Sequence, residues 1–136
     1  LKFLPQMVKN RFGRVIAITS THGNMIAGRP WFNIAKVSQT VFIRNLATVK
    51  EFARAGITFN CIAPGAILIP DTGWGDLLKE NPEKYEELIS KLPMGRLGNP
   101  SEIAKVVLFS ASTEASLING SVITVDGGES NQSTAL

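Results

Sequence analysis

Three short, mostly apolar runs alternate with longer segments of helical periodicity along the chain. The runs are residues 14–19, 57–62 and 120–125, and each has a glycine at or just before its start. Runs of this kind are typical of strands buried on both faces of a parallel sheet. Between the first two runs, apolar residues recur at helical spacing from Trp31 to Arg54 and stop before Gly56. This pattern predicts one long helix with a glycine at its carboxyl end.

The segment between the second and third runs is less regular. Residues 73–75 indicate a mobile turn, and Pro82–Leu92 has the pattern of a short helix with its charges facing water. Residues 99–102 predict the start of a further helix that runs to about Ser112. Asparagine is a favoured N-cap, proline fits the first helical position, and glutamate at the third position can bond back to the cap.

The order strand, helix, strand, helices, strand predicts an α/β fold with about three parallel strands joined by crossover helices. Residues 1–8 resemble the end of a helix, as expected of a chain that begins inside a fold, and the polar tail 129–136 is expected to be loose. Residues 1–136 are therefore expected to form a single partial domain. Because three strands make a thin sheet, the first should expose an apolar edge that a missing half of the fold or a partner covers.

Composition excludes several classes of function. Hydrophobic residues make up 44% of the chain and charged residues 18%, as in ordinary globular domains. The net charge of +3 comes without a lysine or arginine run, which argues against nucleic acid or a membrane surface as partner. A single cysteine and a single histidine disfavour a disulfide framework and a zinc site. The default prediction is a reduced, cytoplasmic compartment.

Five segments, taken in order, resemble one known family. They are Gly13–Ile16 leading to Ser20 and Gly23, Phe32-x-x-x-Lys36, residues 56–65, residues 95–104 and residues 120–128. Together they resemble the carboxyl half of a short-chain dehydrogenase/reductase from the first residue to the last. The resemblance implies part of a Rossmann-like doubly wound sheet whose amino-terminal half is missing. It also implies NAD or NADP as cofactor and a small carbonyl or secondary alcohol as substrate.

The resemblance also implies roles for individual residues. In the family a serine binds the substrate oxygen, a tyrosine transfers the proton, and a lysine binds the ribose and lowers the pKa of the tyrosine. Ser20 matches the serine and Lys36 the lysine, whereas Phe32 stands at the tyrosine position and lacks the phenol oxygen.

Cofactor contacts are implied for the loop after the second strand as well. Pro64 and Gly65 match the family's loop that closes on the nicotinamide, and backbone groups near Ile67 would face the carboxamide. Residues 66–99 correspond to the substrate lid.

Other positions depart from the family pattern. Ile69 stands where a threonine is common, and the loop from Ser20 to Phe32 is about one residue short. The 136 residues contain no Gly-x-Gly-x-x-Gly turn for a pyrophosphate. The chain alone is therefore not expected to hold the cofactor or to be active.

Less specific interpretations stay open for the same residues. Ser20 could only cap a strand-end turn, and Lys36 could only be a solvated helix lysine. A nucleophilic Ser20–His22 pair is disfavoured because no acidic residue lies nearby to orient the histidine. The segment 31–54 corresponds to a helix through which the family dimerises, so a homo-oligomer is expected. The alternatives to an enzyme are a non-catalytic binding or assembly subunit and a truncated gene product.

Overall fold

The structure, a computed structural model, describes residues 2–23 and 29–130. Helices and strands follow one another as α1 Leu4–Asn10, β1 Gly13–Ile18, α2 Pro30–Ala47, α3 Lys50–Arg54, β2 Ile57–Pro64, α4 Gly73–Glu80, α5 Pro82–Ile89, α6 Pro100–Ala111 and β3 Val122–Val125. A short 3-10 turn, Thr21–Gly23, follows β1.

The three strands form one parallel sheet with β2 in the centre. Gly13 pairs with Ile57 at one end of the β1–β2 ladder, and Cys61 pairs with Val122 where β3 joins. The predicted α/β fold with three parallel strands is confirmed. The strand β2 is buried from Ile57 to Ala63, whereas β1 lies at an edge of the described sheet.

The core lies between β2 and the helices that precede it in the chain, α1, α2 and α3. Ile57, Phe59 and Cys61 are fully buried and pack with Ile43 and Ala47 of α2. Cys61 is thus a core residue, and burial raises the pKa of its thiol despite the opposing effect of nearby Arg44. A thiol kept protonated in the core does not act as a nucleophile.

The prediction of a single helix over residues 31–54 is wrong, because the structure has two helices there, α2 and α3. The hydroxyl and the main-chain N–H of Thr48 both donate to the carbonyl of Asn45, at 2.8 and 3.2 Å. Val49 is extended and precedes the first residue of α3. Gly56 follows α3 with φ +73°, and a Cβ there would lie 2.8 Å from the carbonyl oxygen of Arg11. The predicted glycine end is confirmed.

The mobile turn predicted at residues 73–75 is the first turn of α4 instead. Gly75 is buried, and a Cβ at this position would lie 2.5 Å from the carbonyl oxygen of Ile69. The main-chain N–H groups of Gly75 and Asp76 both donate to the carbonyl of Thr72. Glycine here permits close backbone contact rather than mobility. The next helix, α5, ends at Ile89 rather than Leu92, with Ser90 as its C-cap.

The helix start predicted at residues 99–102 is confirmed in α6. Asn99 Oδ1 accepts from the N–H of Ser101 at 2.9 Å, and Glu102 Oε2 accepts from the N–H of Asn99 at 2.8 Å. Arg96 donates to both oxygens of Glu102, at 2.9 and 2.8 Å. The bonds from Arg96 and from the Asn99 backbone lower the pKa of Glu102 to about 2.

The expectation of a loose tail is wrong for its first two residues. The carboxylate of Glu129 accepts a hydrogen bond from Ala66, and Ser130 donates from both its N–H and its hydroxyl to Asp126. Residues 131–136 lie outside the described residues.

Two asparagines connect β2 to the segment that leads into β3. Asn60 donates to the carbonyl of Ile118 at 2.7 Å and accepts from the N–H of Ser121 at 3.0 Å. Asn119 accepts from the N–H of Phe59 at 2.9 Å and donates to the carbonyl of Ala47 at 2.9 Å. The asparagines therefore satisfy main-chain groups next to the sheet that have no strand partner.

We expect Asn60→Ala to lower the free energy of unfolding by about 2–4 kcal/mol, because it removes two hydrogen bonds and leaves partly buried main-chain groups unsatisfied. Chemical denaturation measures this change. Asn45→Ala, at an exposed site on α2, is the control and should change the free energy by less than about 0.5 kcal/mol. Equal effects of the two variants would contradict the role of Asn60.

The low pKa of Glu102 predicts a pH-dependent contribution to stability. Because its pKa is about 2 in the fold and 4.5 ordinarily, the contribution is complete above pH 4.5 and is lost as the pH falls towards 2. We therefore expect Glu102→Gln to lower the melting temperature at pH 7 and to have progressively less effect below pH 4.5. Thermal unfolding from pH 7 to pH 2 tests this, with Glu86→Gln as the control for loss of a carboxylate. A difference that stays constant over this range would contradict the prediction.

Candidate active site

The carboxyl ends of the three strands meet at one edge of the sheet, and the loops that follow them lie together there. Ile18 pairs with Ile62, and Pro64 pairs with Val125. The loops that begin at Thr19, Gly65 and Asp126 therefore start side by side. In open parallel sheets, ligands bind at this edge.

Lys36 reaches this edge from α2. Its Nζ donates to the carbonyl oxygen of Ile18, the last residue of β1, at 3.2 Å and to Gln39 Oε1 at 3.3 Å. The same Nζ lies 5.7 Å from the centre of the Phe32 ring. Residues four apart share a helix face, so α2 itself places the ring beside the ammonium. Lys36 and Phe32 are thus together as the sequence predicts, and Gln39 is a further neighbour that the family pattern does not indicate.

Ser20 lies in the short turn after β1, on the same edge. Its Oγ accepts a hydrogen bond from the main-chain N–H of His22 at 3.2 Å, and its carbonyl accepts from the N–H of Gly23 at 2.9 Å. The imidazole ring of His22 instead packs edge-on against Phe32, with ring centres 5.6 Å apart. The bond to Ser20 comes from the backbone of His22, as expected if the two side chains do not form a nucleophile–base pair. The part of the short loop at residues 24–28 lies outside the described residues.

The Pro64–Gly65 loop is held from the β3 side. The N–H of Gly65 donates to the carbonyl of Val125 at 3.1 Å, and the N–H of Ala66 donates to Glu129 Oε2 at 2.6 Å. A Cβ on Gly65 would lie 2.6 Å from Cβ of Asp126. Only glycine therefore lets this loop approach the residues that follow β3.

Ile67 is held from the side of α6 through an isolated parallel bridge to Gly98. Gly98 donates to the carbonyl of Ala66 at 3.0 Å, and its own carbonyl accepts from Leu68 at 2.9 Å. These bonds use the groups that flank Ile67 and leave the N–H and C=O of Ile67 out of the bridge. The side chain of Ile67 lines a pocket of about 170 Å³ that also includes Met94, Arg96 and Glu129.

Asp126 organises the turn after β3. Partial burial raises the pKa of its carboxyl group. The hydrogen bonds donated by Ser130 and by the N–H of Gly128 together lower the pKa by more, so the net shift is downward. Asp126 is therefore a carboxylate that ties the turn together. No local signal in the sequence predicts the contact between Glu129 and Ala66, because the two residues are 63 positions apart.

Two other classes of site are not found among residues 2–23 and 29–130. No group of three or more histidine, cysteine, aspartate or glutamate side chains there could hold a metal ion. No helix in these ranges is both long enough and apolar enough to cross a membrane.

Comparison with known sequences identifies the family. Residues 2–130 match the family model described as enoyl-(acyl carrier protein) reductase. The chain is 39% identical over 127 residues to the 3-oxoacyl-[acyl-carrier-protein] reductase FabG of Thermotoga maritima. The alignment covers 92% of this chain and 48% of FabG. It is 40% identical over 121 residues to the acetoacetyl-CoA reductase of Shinella zoogloeoides, covering 87% of this chain and 47% of that enzyme. The chain thus spans about half the length of these relatives.

Comparison with solved structures identifies the same family. An oxidoreductase of the short-chain dehydrogenase/reductase family from Burkholderia thailandensis superposes with a TM-score of 0.81 at 28% identity, over 92% of this chain and 47% of that one. A 3-oxoacyl-[acyl-carrier protein] reductase from Brucella melitensis superposes with a TM-score of 0.77 at 32% identity, over 91% of this chain and 44% of that one. The chain therefore belongs to the short-chain dehydrogenase/reductase family.

Proposed function

We propose that this chain forms the carboxyl half of a nicotinamide-dependent oxidoreductase site for a small carbonyl or secondary alcohol, and that it is inactive by itself. Family membership supports the reaction class, and two of the relatives are named as reductases. Both NAD and NADP are compatible with the proposal.

The contact of Lys36 with the end of β1 carries the proposal. The ammonium group is bound to the carbonyl of Ile18, 3.2 Å away, at the sheet edge where a ligand would bind. From this place an ammonium can donate to ribose hydroxyls as well. The N–H of Ile67, left out of the bridge to Gly98, is a donor that suits a carboxamide. The donor set therefore fits the nicotinamide and ribose part of NAD or NADP.

Ser20 and Phe32 define what the site can do to a substrate. A bound nicotinamide would supply or accept the hydride. The hydroxyl of Ser20 would donate a hydrogen bond to the substrate oxygen, and the ring of Phe32 takes the place of the phenol that transfers the proton. Loss of a positioned acid or base typically lowers the rate about 10²–10⁴-fold. This loss, and the lack of a Gly-x-Gly-x-x-Gly turn in the 136 residues, both support the proposed inactivity.

We further propose that residues 66–99 act as the substrate lid. This segment contains α4 and α5, and Trp74 and Leu77 are half-buried while Leu78 is exposed. Apolar side chains of this kind could contact the apolar part of a substrate.

A non-catalytic assembly subunit is the second candidate function, and Phe32 is the residue that favours it. The outward face of α2 offers a surface for assembly. Its exposed apolar residues are Trp31, Ile34, Val37, Val41 and Phe42, whereas Thr40, Ile43 and Ala47 of the same helix are buried. Burial of such a stripe would be favourable. We propose a homo-oligomer through α2, which ends at Ala47 rather than at residue 54.

We expect Phe32→Tyr, introduced into the complete gene product that contains these 136 residues (the full-length protein), to raise the rate of hydride transfer by about 10²–10⁴-fold, because it restores a phenol beside Lys36. Oxidation of NADH or NADPH with small carbonyl substrates, followed by absorbance, measures the rate. Phe109→Tyr is the control, since Phe109 is exposed on α6, outside both the site and the proposed α2 interface. No rise in Phe32→Tyr would contradict the enzyme proposal and favour the assembly subunit.

We expect Val41→Lys to dissociate the oligomer of the full-length protein, because it places a charge in the apolar stripe of α2. Light scattering measures the mass, and thermal unfolding checks that the variant folds. Leu117→Lys is the control at a residue that is 96% exposed in the loop after α6. A monomeric parent protein, or equal dissociation by both variants, would argue against α2 as the interface.

A further inference from the structure

The carboxylate of Glu129 contacts the loop after β2, and the proposed function above gives it no role. Glu129 Oε2 accepts a hydrogen bond from the main-chain N–H of Ala66 at 2.6 Å. Ala66 lies between Gly65 and Ile67, the positions proposed to contact the cofactor. A hydrogen bond from an amide to a carboxylate is charge-assisted and stronger than one between neutral groups. Glu129 therefore restrains the backbone in the middle of the proposed cofactor loop.

The turn after β3 holds Glu129 in place. Asp126 Oδ1 accepts from the N–H of Gly128 at 2.9 Å, and Oδ2 accepts from the N–H of Ser130 at 2.8 Å and from its hydroxyl. The N–H of Glu129 donates to the carbonyl of Asp126 at 3.1 Å. These bonds close the turn on both sides of Glu129, so its side chain leaves from a restrained backbone.

Ala66 is held by both of its main-chain groups. Its N–H is bound by Glu129 and its C=O accepts from Gly98 at 3.0 Å. The N–H belongs to the Gly65–Ala66 peptide and the C=O to the Ala66–Ile67 peptide, so the two bonds restrain both peptide groups that meet at Ala66. The N–H of Ile67 lies in the plane of the second peptide, and its direction is therefore restrained as well. Restraint of a loop in its binding conformation lowers the entropic cost of binding.

We propose that Glu129 is a positioning residue that orients the Ala66–Ile67 backbone for the carboxamide of a nicotinamide nucleotide. This inference rests on the proposed function, which assigns the carboxamide contact to Ile67. It extends that function to a carboxylate that does not touch the cofactor and acts through the peptide of Ala66.

The test compares Glu129→Ala, Glu129→Gln and a control, Glu114→Ala, in the full-length protein. Glu114 is exposed and lies two residues after Ser112, whose carbonyl oxygen accepts a hydrogen bond from Arg14 near the start of β1. The control position is therefore near the amino ends of the strands, away from the proposed cofactor loop at their carboxyl ends. One measurement is hydrogen exchange at the N–H of Ala66 without nucleotide. The other is the Kd for NADH and for NADPH from nicotinamide fluorescence. Neither measurement needs turnover, so Phe32 does not interfere.

We expect Glu129→Ala to speed exchange at Ala66 and to weaken nucleotide binding about tenfold, the effect of losing one hydrogen bond to a charged group. Glu129→Gln keeps an acceptor oxygen and should stay within about threefold of the parent Kd. Glu114→Ala should match the parent in both measurements.

Three results would overturn the role of Glu129 alone: unchanged exchange at Ala66 in Glu129→Ala, faster exchange with an unchanged Kd, or an equal loss of affinity in Glu129→Gln and Glu129→Ala. A parent protein that binds neither NADH nor NADPH would overturn the proposed function itself, and this inference with it. The two failures are therefore distinguished by the parent protein.

Discussion

Main-chain hydrogen bonds on both sides of β2 hold β1 and β3 parallel to it, and the place of every candidate site residue depends on this pairing. Because the three strands run in the same direction, the loops after Ile18, Pro64 and Val125 begin at one edge. Burial of β2 from Ile57 to Ala63 keeps water away from these hydrogen bonds. Asn60 adds side-chain bonds that fix the approach to β3.

At that edge, the packing of an aromatic ring at position 32 does not depend on the phenol oxygen that proton transfer requires. The ring of Phe32 packs against His22 and lies below the ammonium of Lys36. A phenyl ring and a phenol ring fill almost the same space, and a cation is attracted to the face of either. Only the phenol oxygen can exchange a proton. A fold of this family can therefore keep its local geometry at Phe32 while, under the proposed function, it loses most of its rate.

Short-range rules predicted some elements well and failed at others for identifiable reasons. The capping box of Asn99 and Glu102 involves residues three apart, so the sequence alone predicts it. The division between α2 and α3 was not predicted, because the apolar spacing continues across Thr48 and Val49. The hydrogen bonds of Thr48 to Asn45 and the extended backbone of Val49 mark this division. The mobile turn predicted at Gly75 is wrong because glycine is needed there for close contact with the Ile69 carbonyl, and that contact exists only in the folded backbone.

The sequence by itself determined the α/β class, because apolar runs and helical periodicity are local patterns, and it determined the spacing of Phe32 and Lys36 on one helix face. The resemblance to the family also predicts that Phe32 stands at the tyrosine position. Only the tertiary structure decided that Lys36 reaches the carbonyl of Ile18 and that Glu129 reaches the N–H of Ala66. The physical reason is that each contact joins two different elements of the fold, which meet only when the helices and loops pack around the sheet, and local patterns along the chain do not specify that packing.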